Sequence, residues 1–420
     1  MRTPRRSILA AALLAAAACT TQTAASGDSA PAGSEPPASG QCAIAPLETR
    51  DPNGASQKPA FEGQTRACGL RSGVAFDVAV VATGLVKPWS IEPLADGSIL
   101  VTEKPGRMRI VAANGTVGEP IAGVPAVDPK GQGGLLDVEL GPNFASDRTI
   151  FFSFTEPRQD GNGTSVARAV LSADRTRLEN VQVIFRAMPS FTNNMHYGSR
   201  VLAGPDGMIY VTLGERSSLE TRPKAQDMNS HFGKIVRIAP DGTVPQDNPF
   251  VGQQGARPEI WSVGHRNVQA AAFDPQGRLW EIEHGTRGGD ELNLVTKGKN
   301  YGWPLQAYGI EYNGSPIPNS STTREGMEQP VYYWDPVIAP SGAQWYTGSA
   351  FPAWRGSLFV GGLNSTRLVR LELEGDRVKG EEHLLVDRAK RIRDVKQGPN
   401  GHLYVITDYD NGELWRISPR

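Results

Sequence analysis

Cysteine is scarce in this chain, 3 in 420 residues, so at most one intramolecular disulfide can form. Charge is modest and balanced. Against 43 Lys and Arg stand 44 Asp and Glu, which removes the electrostatic reason to expect nucleic acid as a partner. No long apolar segment carries a 3.6-residue period, which argues against helix bundles and coiled coils. One unbroken apolar run, residues 8–18, is too short to span a bilayer as a mature helix, so a multi-span membrane protein is not expected. What the chain does hold is 39% hydrophobic residues, 47 Gly and 32 Pro. That is enough apolar mass for a core, and the Gly and Pro content suits many short strands joined by tight turns.

The N-terminus reads as an address. Arg2, Arg5 and Arg6 precede the apolar run, which makes residues 1–18 a secretory signal. Cys19 follows Ala16, Ala17 and Ala18 and resembles the lipidated cysteine of a bacterial lipobox, although Leu is more usual where Ala16 stands. The expected destination is therefore the periplasm, with membrane attachment through a lipidated Cys19, or simple cleavage after the alanines, as the two forms. Residues 19–40 are rich in Thr, Ala, Ser, Gly and Pro and read as a disordered tether. In an oxidising compartment Cys42 and Cys68 are expected to pair, two buried thiols being the alternative. They fall in an N-terminal extension, residues 41–73, ahead of the main domain at 74–420.

That main domain repeats itself. A Gly-bearing turn followed by a β-branched and aromatic run occurs at residues 95–102, 204–212, 274–280 and 398–405. Looser copies lie at 141–152 and 354–360. From Gly97 to Gly401 the turn glycine advances in five steps of about 61 residues. Asp-Gly and Asn-Gly turns between alternating hydrophobics are strand signals. Six such units predict an all-β, six-bladed β-propeller of four-stranded antiparallel blades. The largest insertions lie between the third and fifth copies, where functional loops are expected.

Four regions hold polar residues that strand alternation does not require: 131–137, 193–200, 264–304 in three clusters, and 390–394. Taken singly, each has a plain reading. His196, His265 and His284 can be structural histidines, the glycines of 285–289 a turn, and Arg391 with Arg393 one solvated strand face. His196, His231, His265 and His284 lack the close spacing of a zinc site. Taken together, the regions offer one base, three arginines, amide side chains and the carbonyls of a Gly-rich loop. That set suits a small polyanion beside a hard cation.

Seven motifs in order carry a resemblance: residues 131–136, 196–200, 264–267, 283–291, 301–304, 338–342 and 391–394. With them the chain, over residues 78–417, resembles the soluble glucose/sorbosone dehydrogenases, and most of all their aldose sugar dehydrogenase branch. The resemblance implies a six-bladed propeller that oxidises the C1 hydroxyl of aldose sugars with pyrroloquinoline quinone and calcium, passing electrons to an external acceptor, a quinone or a small redox protein. It implies His196 as general base, with Arg266 and Asn267 holding and polarising the quinone oxygens. Gln132, Arg391 and Arg393 match further cofactor contacts. The carbonyls of Gly285 and Thr286 match the ligands of the activating calcium, and Glu291 with the Tyr301 carbonyl those of a second, structural one.

There are departures from the family pattern. Thr286 stands where Pro is usual, Ala270 for Gly, and Glu215 for Asp. Asn364 occupies the place of a cofactor-binding Lys; it can donate a hydrogen bond but carries no charge, a loss worth roughly 1–3 kcal/mol of cofactor affinity. A non-catalytic ligand-binding propeller that has lost the cofactor is therefore the alternative reading, and a calcium-dependent lactonase a remoter one. Tyr333 and Trp334 are candidate substrate-side aromatics or packing residues. The sequence does not give the sugar, the acceptor or the oligomeric state.

Overall fold

The structure, a computed structural model, describes residues 42–420. The expected signal segment, the Cys19 lipidation site and the tether lie outside the described residues.

Each turn phrase occupies the same place, the link between the first and second strands of a sheet. In the four strict copies Gly97, Gly207, Gly277 and Gly401 have φ of 83°, 78°, 77° and 75°, which only glycine adopts without strain. The polar residue ahead of each closes the turn. Asp96, Asp206, Asp274 and Asn400 accept backbone N–H bonds two residues on, at 3.0–3.1 Å. The six first strands are Pro88–Pro93, Leu135–Leu140, Val201–Ala203, Val268–Phe273, Pro340–Trp345 and Ile392–Gln397. Successive first strands pack together around the centre of the ring, except that Val268–Phe273 meets Ile209–Thr212, the second strand of the preceding blade.

The result is the expected six-bladed β-propeller. Its first blade departs from four strands, with only Pro88–Pro93, Ile99–Glu103 and Arg107–Val111. The segment that would supply the fourth carries Pro120, Pro125 and Pro129, which cannot donate to a ladder. The last blade closes the ring. Its outer strand is Phe76–Leu85, antiparallel to Gly412–Pro419 from the opposite end of the chain. Between blades the core is aromatic and branched. Trp280 is fully buried edge-on against Trp345, centroids 5.6 Å apart, and its indole N–H is satisfied by Asp274 at 2.9 Å.

The extension is strapped to the wall of blades four and five. Cys68–Gly69 adds a parallel fifth strand to Arg377–Leu384. The Asp335 carboxylate accepts the backbone N–H groups of Asn53 and Gly54, each at 2.8 Å. Cys42 and Cys68 are disulfide-bonded across a separation of 26 residues, so the expected pairing is present. Closing a loop of that length stabilises by about 3 kcal/mol. The double substitution Cys42→Ser with Cys68→Ser should lower unfolding stability by about that amount in urea titration; an unchanged midpoint would show that the bond does not constrain the unfolded chain.

Candidate active site

Because the blades share one strand order, all six inner strands start at the same rim, and the segments after the second strands end there too. Three blades place side chains in one register around the first residue of the inner strand. These are Lys87 and Trp89 around Pro88, Asn267 and Gln269 around Val268, and Arg391 and Arg393 around Ile392. The residue just after the second strand adds Lys104, His284, Leu363 and Asp408 from four blades. With Gln132 they surround a cavity of about 500 Å³.

Below this well the channel is closed by buried ion pairs. Arg200 meets Asp137 at 2.8 Å and Asp394 at 3.1 Å, while Lys396 bonds Glu92 and stands 3.7 Å from Glu139. Burial pushes the Glu92 carboxyl up while Lys396 pulls it back. Trp89, on the cavity wall, stacks over the Arg200 guanidinium at 4.3 Å. The well is therefore open above a charged floor and is not filled by apolar side chains.

His196 lies next to this cavity without lining it, 4% exposed, with φ of 48°. Two glycines make room for that conformation. A Cβ at Gly214 would stand 2.3 Å from the His196 carbonyl oxygen, and one at Gly198 would stand 2.7 Å from the Leu213 backbone. The His196 N–H donates to Gln132 Oε1 at 2.8 Å, and Nδ1 lies 2.7 Å from Glu215 Oε1. A carboxylate only accepts, so Nδ1 carries the proton and Nε2 is the lone-pair nitrogen. Burial, helped by the Arg266 charge, pushes the imidazole below its ordinary range, while Glu215 pulls the other way. Asn267 Oδ1 accepts the Gly198 N–H at 3.0 Å, tying the cavity wall to the histidine loop.

Arg391 and Arg393 face the same side, as strand alternation predicted, and share one carboxylate. Arg391 bonds Asp408 Oδ2, and Arg393 bonds Asp408 Oδ1 at 2.9 Å. Burial opposes the ionisation of Asp408, but Arg393 and Arg391 outweigh it and hold the carboxyl at about 2. Asn364 is placed differently. It is exposed, donates to the Val337 carbonyl at 3.2 Å and does not line the cavity, where Leu363 stands instead.

Arg266 turns its guanidinium to the carbonyls of His284, at 3.0 Å, and Gly285. Behind it lies a second cavity of about 10 Å³, lined by Glu283, Gly285, Glu291 and Tyr301 among others, room for one water-sized sphere. The structure thus brings Gly285, Glu291 and Tyr301 together, apart from the main well, whereas Thr286 is buried nearby and lines neither cavity. Burial, with the charges of Glu283 and Glu281, raises Glu291 well above the carboxylate range. Oε2 of Glu281, Oδ1 of Asn293 and Oγ1 of Thr286 are buried without a partner.

Sequence reasoning missed Trp89, Lys104 and Asp408 and noted Glu215 only as a departure. The signal was present in the repeat, since Lys104 and Asp408 each follow the second strand of their blade, at the position of His284. Tyr333 and Trp334 are packing residues. Tyr333 stacks on Tyr308 with centroids 3.8 Å apart, and Trp334 donates to Glu381 at 3.0 Å.

Residues 85–416 match the model of the glucose/sorbosone dehydrogenase family. The aldose sugar dehydrogenase YliI of Escherichia coli strain K12 is 43% identical over 348 residues, covering 82% of this chain and 93% of that protein. A glucose dehydrogenase crystal structure superposes with TM-score 0.79 at 48% identity, covering 81% of this chain and 99% of the other. The pyrroloquinoline-quinone-bound aldose sugar dehydrogenase of Streptomyces coelicolor does so with TM-score 0.66 at 31% identity, over 82% and 99% of the two chains.

The His196–Glu215 pair generates a prediction of its own. Glu215→Gln keeps the shape and removes the charge that favours the imidazolium, so the His196 pKa should fall further. An NMR titration of the 6 histidines checks this; an unchanged or higher value would deny the coupling.

Proposed function

The chain belongs to the glucose/sorbosone dehydrogenase family, and from that premise we propose that it is a periplasmic quinoprotein oxidising the C1 hydroxyl of aldose sugars to lactones. One observation carries the reading: a cation-walled cavity of about 500 Å³ adjoins a buried histidine whose Nδ1 is committed to a carboxylate. The donor set fits an anionic planar cofactor. Arginines pair bidentately with carboxylates, and Arg391 and Arg393 stand on the cavity wall with Gln132 and Asn267. Pyrroloquinoline quinone, when bound, would supply the oxidant that accepts the hydride of C1.

The protein's part is proton transfer and charge placement. His196 takes the C1 hydroxyl proton at Nε2, which burial keeps unprotonated at neutral pH. Glu215, 2.7 Å away, then stabilises the imidazolium that forms. Arg266 supplies positive charge beside His196, where negative charge develops on the oxidant's oxygens. Asn364 would sit at the edge of this arrangement as an uncharged neighbour.

Calcium fits the oxygen donors behind Arg266. The small cavity collects the Glu291 and Glu283 carboxylates with Gly285 and Tyr301, and a divalent ion would relieve the repulsion among the buried glutamates. In this reading the Gly285 and Thr286 carbonyls serve the activating ion, and Glu291 with the Tyr301 carbonyl the structural one. The Gly285 carbonyl, which accepts from Arg266, keeps a second lone pair that can serve such an ion. The reduced cofactor would pass its electrons to an external acceptor, a quinone or a small redox protein. The Cys42–Cys68 bond supports an oxidising compartment.

The exposed, uncharged Asn364 favours a second reading, a propeller that binds a ligand without oxidising it. Reconstitution separates the two. Protein loaded with pyrroloquinoline quinone and calcium should reduce an artificial dye in the presence of aldoses. His196→Ala should lower turnover about 10²- to 10⁴-fold while calorimetric quinone binding persists. A folded protein with neither quinone binding nor dye reduction would favour the second reading, and equal activity in the variant would remove His196 from its role.

A further inference from the structure

Four cations stand on the wall of the main cavity: Lys87, Lys104, Arg391 and Arg393. Three are neutralised within the protein. Lys87 pairs with Asp410 at 3.2 Å, and both arginines pair with Asp408. Lys104 has no carboxylate partner among the described residues. Its Nζ donates to the Gly131 carbonyl at 2.6 Å, which leaves two of three ammonium donors. The adjacent acid is committed elsewhere, since Glu103 accepts from Arg107 at 2.7 Å, from Arg109 at 3.1 Å and from the Val86 N–H.

The backbone of Lys104 is pinned although its charge is free. Its N–H donates to the Lys87 carbonyl and its carbonyl accepts the Leu135 N–H, each at 3.1 Å. Gly134 packs so closely that a Cβ there would stand 2.2 Å from the Lys104 carbonyl oxygen. The first two blades thus hold a half-buried ammonium at a set place on the wall. A cation held on the wall without an anion is free to pair with one that a ligand supplies.

We propose that Lys104 is a cofactor-binding residue, donating a charge-assisted hydrogen bond to a carboxylate of the quinone on the blade-one side of the well, while Asn364, on blade five, contributes no charge. The proposal rests on the quinoprotein reading and adds a residue to it. Burial and the Arg393 charge bring the Lys104 ammonium down to about 8, so it is largely protonated at pH 7. An arriving carboxylate favours that form further.

Calorimetric titration of the apoprotein with pyrroloquinoline quinone at pH 7 tests it. Lys104→Met should weaken binding roughly tenfold to a hundredfold, whereas Lys104→Arg, which keeps the charge, should bind within a few-fold of wild type. The thermal midpoint of the ligand-free Lys104→Met protein should be no lower than wild type, since no ion pair is lost. Binding by Lys104→Met equal to wild type, or an equal loss in both variants, would overturn the assignment alone. No binding by the wild-type protein would overturn the quinoprotein reading and the assignment with it.

Discussion

Closure of the ring is the constraint on which the site depends. Phe76–Leu85 pairs with Gly412–Pro419, so the last blade is built from both ends of the folded chain and cannot move as a loose terminal unit. With the ring shut, the six inner strands hold one register, and the residues flanking their first positions meet at a common rim. Trp89 from the first blade, Asn267 from the fourth and Arg393 from the last thus share one wall despite their separation in sequence. An open stack of the same sheets would leave these groups apart and in water.

Electrostatics divides the centre of the ring into zones. The well carries more positive than negative side chains, and Asp408 offsets two of the arginines. Beneath it, Arg200 and Lys396 face Asp137, Asp394, Glu92 and Glu139, an excess of acid, and burial pushes the Glu92 carboxyl up. Behind Arg266 the three glutamates 281, 283 and 291 form a second acidic zone, with burial and neighbouring charge raising Glu281 to about 7. Burial opposes protonation of His265, but Glu281 and Glu283 outweigh it and hold the imidazole at about 9. Anion-attracting and cation-attracting sites thus lie side by side: Arg266 lines the acidic one, its neighbour Asn267 lines the well, and His284 borders both.

The long insertion between Asp290–Val295 and Tyr332–Trp334 shows what pattern reading does not reach. Residues 316–329 have no apolar period to follow. They are held in part by the buried Gln306 amide, whose Nε2 donates to the Glu328 carbonyl at 2.6 Å and whose Oε1 accepts the Arg324 N–H at 2.8 Å. A single tertiary contact of this kind leaves no trace in local sequence. The same holds for Tyr333 and Trp334, whose roles follow from Tyr308 and Glu381, partners 25 and 47 residues away.

By itself the sequence determined the architecture, because the turn phrase is a local device. A glycine at positive φ and an Asp or Asn that bonds its own backbone need no partner elsewhere, so the four strict copies specify four hairpins and the two looser ones bring the count to six. It also carried the family motifs around His196, Arg266 and Arg391. Only the tertiary structure decided that Asp408 neutralises both arginines, that Lys104 is left without an acid, and that Asn364 turns to Val337. Charge pairing depends on which side chains closure brings within a few ångströms, and chain order does not encode that distance.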